Sequence, residues 1–417
     1  MASAPEACRS GYNRDAFAVG LWVLQPFFAS RFRMNPISTI TTSGAETSRK
    51  LEPTSEHGPA LQGSVMVLIQ FDVSEEIHLD DVRNSLDARR ADLQLKHPSP
   101  TYARFRQPPV VERLEPMVLD TGERLEGQLK YYDYGVVSVI FELPFQGTWD
   151  ELVQLASRWE WDTDFESRAW KIAKEKLKRA EKALSKPYDQ WLSEDYFIFH
   201  VREVEGNPSP EELLARYGDQ VAQIVRGETL KLSENEQSEI LTSRMSYYPN
   251  DIAVIGWNGA FLYDTEAGAE TAIQLLEYSN SQLLEFRHYD ELLTLQLASV
   301  YKVLEQGTGW FSRWRLAKAA SRLHTVLLDV TELTERADNA IKFLSDMFSA
   351  RLYRLAAAKV GVPDYKNLVQ KKLDTAEDLY RFMVDQFHQS RAFVLELMVV
   401  IILIIDLVYL FRGYKPI

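Results

Sequence analysis

A single cysteine, Cys8, occurs in this chain of 417 residues. That excludes an internal disulfide framework and any cysteine metal cage, and it fits a reducing compartment. Histidine is scarce as well. The seven histidines stand at 57, 78, 97, 200, 288, 324 and 388, with no i, i+4 pair of the kind a helical metal site uses. No GxSxG, Walker A loop, GxGxxG, HExxH or CxxC occurs. The sequence therefore assigns no catalytic residue, cofactor, metal or small-molecule substrate. Glu285, His288 and Asp290 are close in sequence and read as surface pairing on a helix. An excess of positive charge is also missing: 47 Lys and Arg against 60 Asp and Glu give −13. A chain built as a whole to coat nucleic acid or anionic lipid is excluded, while local basic patches stay open.

The strongest positive signal is the end of the chain. Ala392 to Phe411 reads AFVLELMVVIILIIDLVYLF, with only Glu396 and Asp406 charged. As a helix it is roughly 30 Å long, the thickness of a bilayer core. Tyr409, Arg412, Tyr414 and Lys415 suit a membrane interface. The expectation is one C-terminal transmembrane helix at 391–412 with a tail at 413–417. Acids inside such a helix usually face protein. Glu396 and Asp406, about 80° apart in projection, then mark a face for helix association. The alternative is that both reach the headgroups.

Before the anchor, residues 1–60 read as a disordered or targeting segment. Ala16 to Ala29 is apolar but broken by Pro26, and Met34 is an alternative start. Residues 61–265 read as an α+β (or α/β) soluble domain. SVMVLIQFDV is a near-continuous apolar run, as expected for a strand buried on both faces. PMVLD and ERLEGQLKYYDY form a hairpin around Thr121-Gly122, and Tyr134 to Phe145 is the clearest strand. Thr148 caps a helix from Trp149 towards Ser185, with a break near Asp162–Asp164. Glu194 to Val204 is a strand, and Ser209-Pro210-Glu211-Glu212 starts a helix. A short helix covers Glu234 to Thr242, and a hairpin turns at Asn258-Gly259.

Residues 266–390 read as a helical, coiled-coil-like stalk, with no proline from Ala267 to Gln306 and breaks near 307–309 and 361–363. Its second helix, from Trp310 to about Val360, would outrun the third by about 30 Å. Trp310, Phe311, Arg313, Trp314 and Arg315 would then form a membrane-interface tip. The alternative is a bent helix whose tip packs on protein. Lys171 to Lys186 holds seven basic residues against two acidic ones. Lys171, Lys174, Lys178, Arg179 and Lys182 could touch phosphates of RNA or lipid, or form the solvated face of a helix. The Trp159-Glu160-Trp161-Asp162 cluster and Trp170 read as packing.

Asn367 to Leu410 (NLVQKKLDTAEDLYRFMVDQFHQSRAFVLELMVVIILIIDLVYL) resembles the C-terminal end of the required-for-meiotic-nuclear-division family, of the domain of unknown function 155 type. Leu395-Glu396 and Asp406 occupy the family's two acidic positions, with Asp where the family typically has Glu. Asp133-Tyr134-Gly135-Val136-Val137 resembles its YGVVV strand. The resemblance implies a membrane protein that supports translation of organelle-encoded proteins, matrix-facing at the mitochondrial inner membrane in eukaryotes. It brings no catalytic residues.

Together these readings lead to a non-enzymatic, single-pass membrane scaffold facing the cytoplasm or the matrix. Its expected partners are the lipid bilayer, further copies of itself and a ribosome- or RNA-associated assembly. Two other classes stand beside it: an ion channel or transporter subunit with a layout like the CorA-type channels, and an enzyme with a dispersed active site.

Overall fold

Alternation of side chains decides the centre of the fold. The computed structural model describes residues 60–86, 108–305, 310–341 and 347–411. Strand β1 (Leu61–Ile77) is buried along almost its whole length. Val65, Val67, Ile69, Phe71 and Val73 point into one apolar cluster, and Met66 and Leu68 point into another. A strand with two apolar faces needs helices on both sides.

After β1 come helix α1 (Leu79–Ser85), strands β2 (Val110–Val118), β3 (Arg124–Tyr131) and β4 (Val136–Gly147), helices α2 (Trp149–Trp161) and α3 (Phe165–Arg179), and a 3-10 turn at Glu181–Ala183. Strand β5 (Leu184–Val204) leads to helices α4 (Pro210–Arg226) and α5 (Glu234–Thr242) and strands β6 (Arg244–Met245), β7 (Ile252–Ile255) and β8 (Gly259–Tyr263). Four helices follow: α6 (Glu266–Glu305), α7 (Trp310–Ile341), α8 (Met347–Val360) and α9 (Val362–Phe411). The strands make one mixed sheet in the order β2-β3-β4-β1-β5-β8-β7-β6. Among the described residues only β5–β8 pairs in parallel. This is an α+β fold, with α2, α3 and α4 on one face of the sheet and α6, backed by α8 and α9, on the other.

Local chemistry sets the boundaries. Thr148 with Glu151 and Ser209 with Glu212 form capping boxes, and Pro210 sits in the first turn of α4. Gly135, between β3 and β4, has φ +95°, and a Cβ there would meet Ser74 O at 1.8 Å. The hairpin read at Asn258-Gly259 forms between β7 and β8.

Three expectations are corrected. The helix expected to reach Ser185 ends at Arg179, and β5 begins ten residues before the expected Glu194. Pro187 cannot continue a helix, and β1 offers a partner there: Ile77 pairs with Leu184 and Ser74 with Pro187. The first of the expected stalk helices is not free of the domain, because α6 is buried against the sheet from Leu275 to Phe286. Further along, α6, α7 and α9 share a smaller cluster around Leu297, Leu323 and Met383.

The third correction is the largest. Among the described residues no helix is long and apolar enough to cross a membrane. Helix α9 runs unbroken to Phe411, but Glu396 and Asp406 confine its uninterrupted apolar run to Leu397–Ile405. Nine residues span about 14 Å, half of what a bilayer core needs. The single-pass anchor and the cytoplasm- or matrix-facing membrane location fall with it. The readings of residues 1–59, of the break at 307–309 and of the tail at 413–417 lie outside the described residues, as do residues 342–346 within the expected second stalk helix.

Candidate functional site

Helix α3 divides its residues sharply. Phe165, Ala169, Ala173 and Leu177, four apart, are its buried face. Asp164 caps the start by accepting from Ser167 N. At 100° per residue, Lys171, Lys174 and Lys178 fall within an arc of about 60° on the outward side, and all three are exposed. Lys182 is exposed on the 3-10 turn just beyond.

The cations of this region separate into two groups. Lys176 Nζ lies 2.6 Å from Glu112 Oε1, and Glu112 also accepts from Tyr131. Arg168 pairs with Asp120 at 2.9 Å and Arg179 with Glu175 at 3.3 Å. Burial and the Glu112 charge push the Tyr131 hydroxyl far above its ordinary range, so it stays a neutral donor. Among the described residues no ion pair engages Lys171, Lys174, Lys178 or Lys182. Arg179 thus leaves the expected group, being held by its own helix.

Beside the lysines stands Trp170, 40% exposed. Lys174 Nζ sits 4.2 Å above its ring, and Trp191 lies 6.2 Å away and packs on Phe71. A cation over an exposed indole, flanked by unpaired lysines, is equipped to take a phosphate backbone and a base face. Trp159 is fully buried as expected, whereas Trp170 packs on Trp191 yet stays 40% exposed. The signal was in the spacing: one residue past Ala169, Trp170 must leave the buried face.

The other expected site residues are spread out. Glu396 and Asp406 are exposed on α9 and remain about 80° apart. Arg315 is exposed at the start of α7. Trp310, Phe311, Arg313 and Trp314 belong to the same helix, and their side chains lie outside the described residues. Glu285 is not at the surface: it is buried on α6, with His288 and Asp290 partly covered beside it.

A family model described as "Uncharacterized protein MJ0711, N-terminal domain" matches residues 62–270, which hold the whole sheet and α3. A relative, the uncharacterized protein MJ0711 of Methanocaldococcus jannaschii, is 19% identical over 220 residues, or 53% of this chain. The match spans 66% of that relative's own length. No solved structure matches the chain. The chain belongs to the family of the MJ0711 N-terminal domain.

Proposed function

We propose that this chain is a non-enzymatic scaffold that presents its α+β domain to an RNA-containing partner through the lysine face of α3. One observation carries the reading. Lys171, Lys174 and Lys178 share one exposed arc and make no ion pair among the described residues, although the chain as a whole is acidic. In an acidic chain, lysines without a carboxylate partner are the groups best placed to exchange counterions for phosphates. The resemblance of residues 133–137 and 367–410 to the required-for-meiotic-nuclear-division family directs the choice of partner to the translation machinery. The membrane location of that family is not carried over.

The test is fluorescence anisotropy with a single-stranded RNA over a series of salt concentrations. Lys171→Glu, Lys174→Glu and Lys178→Glu together should weaken binding at least tenfold. They should also make the slope of log K against log salt shallower by about 2, given about 0.7 per phosphate contact on a single strand. Unaltered affinity and slope would make this arc a solvated face and nothing more.

Self-association belongs to the same reading. The run from Met398 to Ile405 is exposed along its whole length in one copy, and an uncovered apolar surface of this kind marks a contact. Light scattering should give a multiple of the 48.0 kDa chain mass. Ile401→Lys with Ile405→Lys should return it to a single chain. A single chain in the unsubstituted protein removes self-association from the proposal.

A further inference from the structure

The contact between the sheet and α6 sets a row of buried polar groups beside an apolar cluster that joins Met66, Leu68, Ile140 and Ile198 to Leu275, Leu276, Leu283 and Phe286. Lys130 on β3, Ser138 on β4, Gln70 on β1 and Glu194 on β5 stand side by side in register across four strands. Helix α6 fastens to this row at three points. Lys130 Nζ lies 2.6 Å from Glu277 Oε2. Gln70 Nε2 donates to Glu277 O at 2.9 Å. Arg287 pairs with Glu194.

One step along β1 stands Asp72, 1% exposed, with no hydrogen-bond partner for either carboxylate oxygen. His288 Nδ1 on α6 approaches Asp72 Oδ2 to 3.1 Å without closing a hydrogen bond. Tyr188 on β5 stacks on the imidazole at 4.3 Å. Glu285, one turn before Tyr289, accepts that residue's hydroxyl and leaves its other oxygen without a partner.

The strong cations of the contact are already engaged. Lys130 holds Glu277, Arg287 holds Glu194, and Lys372 on α9 holds Asp290 at 2.6 Å. Beyond the carboxylates Glu75 and Asp133, whose charges reach Tyr188 and Tyr278, the remaining titratable neighbours are phenols: Tyr132 and Tyr134 from the β3–β4 turn, Tyr188 from β5, and Tyr278 and Tyr289 from α6. All these phenols are raised by burial and remain neutral. Tyr353 on α8 donates to Gln282 of α6, and its ring lies 5.8 Å from that of Tyr278. His288 is therefore the one described cationic candidate for Asp72 and Glu285, and burial lowers its pKa to about 4. Two carboxyl groups share a buried interface with no strong cation among the described residues to hold them both ionised.

We propose that Asp72 and Glu285 form a proton-operated joint: α6 stays seated on the sheet while they keep their protons and loosens from it when they ionise. Helices α8 and α9 pack on α6, so the joint governs how firmly the whole helical layer is held.

The direction follows from the environment. Burial raises the pKa of both acids, and the Glu285 charge raises that of Asp72 further. Glu194 is also raised, to about 7, by burial against the opposing pull of Arg287. A raised carboxyl stabilises the seated state at low pH, and that stability is lost as pH rises through the folded-state value. The lowered His288 acts the other way, losing stability as pH falls from about 6.5 towards about 4. Above pH about 6.5 only the carboxyl effect remains.

Amide hydrogen exchange on the full chain between pH 6.5 and 8.5, corrected for intrinsic rates, reads the joint directly. Protection across residues 275–290 should fall by up to about tenfold per pH unit for each proton released on opening. Protection in α4, on the opposite face, should hold steady. Asp72→Asn with Glu285→Gln should flatten the dependence, and Glu285→Gln alone should reduce it. Constant protection of 275–290 in the unsubstituted chain overturns the proposal, even if the double variant does not fold. An undiminished slope in a folded double variant overturns it equally.

Discussion

Helices α3 and α6 lie on opposite faces of one sheet and obey opposite rules. In α3 every fourth residue from Phe165 to Leu177 is apolar and buried, and its charges face outward apart from Lys176, which pairs with the buried Glu112. In α6 the stretch from Leu275 to Phe286 is buried throughout, yet it contains Glu277, Ser279, Asn280, Ser281, Gln282 and Glu285. The first contact is non-directional and tolerant. The second depends on each polar group finding its partner. Ser279 and Asn280 turn to the Leu276 carbonyl of their own helix, and Gln282 receives the Tyr353 hydroxyl. One helix is fixed mainly by area, the other by area together with matched pairs.

The comparison breaks most visibly at Lys130. Lys130→Met leaves Glu277, 1% exposed, without a cation. Removing one partner of a buried pair costs about 3–5 kcal/mol, measurable by urea unfolding. Lys130→Met combined with Glu277→Leu should recover most of that loss, because a packed apolar pair is as good as a buried ionic one. If Lys130→Met alone costs under about 1 kcal/mol, the α6 contact is apolar in its energetics after all and the contrast with α3 disappears.

Legibility in the sequence follows the same divide. The period of α3, the capping residues Thr148 and Ser209 and the turn at Asn258-Gly259 are local signals, and all three appear where the spacing puts them. The exposure of Trp170 was legible from the same period, although the residue was read as packing. The polar contact was not legible. Gln70 and Asp72 sit in an apolar run, and what makes them tolerable arrives from α6, far along the chain. Glu285 and His288 have the spacing of a solvated helix face, and no local pattern says that the sheet covers them. The apolar end of α9 misled in the other direction. Composition over Ala392 to Phe411 suggested a span, while the positions of Glu396 and Asp406 cut it short. The family match ends at residue 270, at the first turn of α6, so it includes the sheet side of the polar contact and stops before the helix side.

The smallest effects sharpen the account of α3, where two neighbours should separate stability from binding. Ala173 is fully buried between the helix and the sheet. Ala173→Leu forces extra volume into a filled core and should cost about 1–3 kcal/mol. Lys174, one residue on, is exposed over Trp170. Lys174→Leu should change stability by no more than about 0.5 kcal/mol. For RNA affinity the order reverses. Ala173→Leu, if folded, leaves the lysine arc intact and should bind as before. Lys174→Leu removes one phosphate contact and should flatten the salt slope by about 0.7. Equal losses of stability at both positions would mean that α3 is enclosed on both sides, as α6 is, and the exposed arc would then be a contact already occupied within the protein.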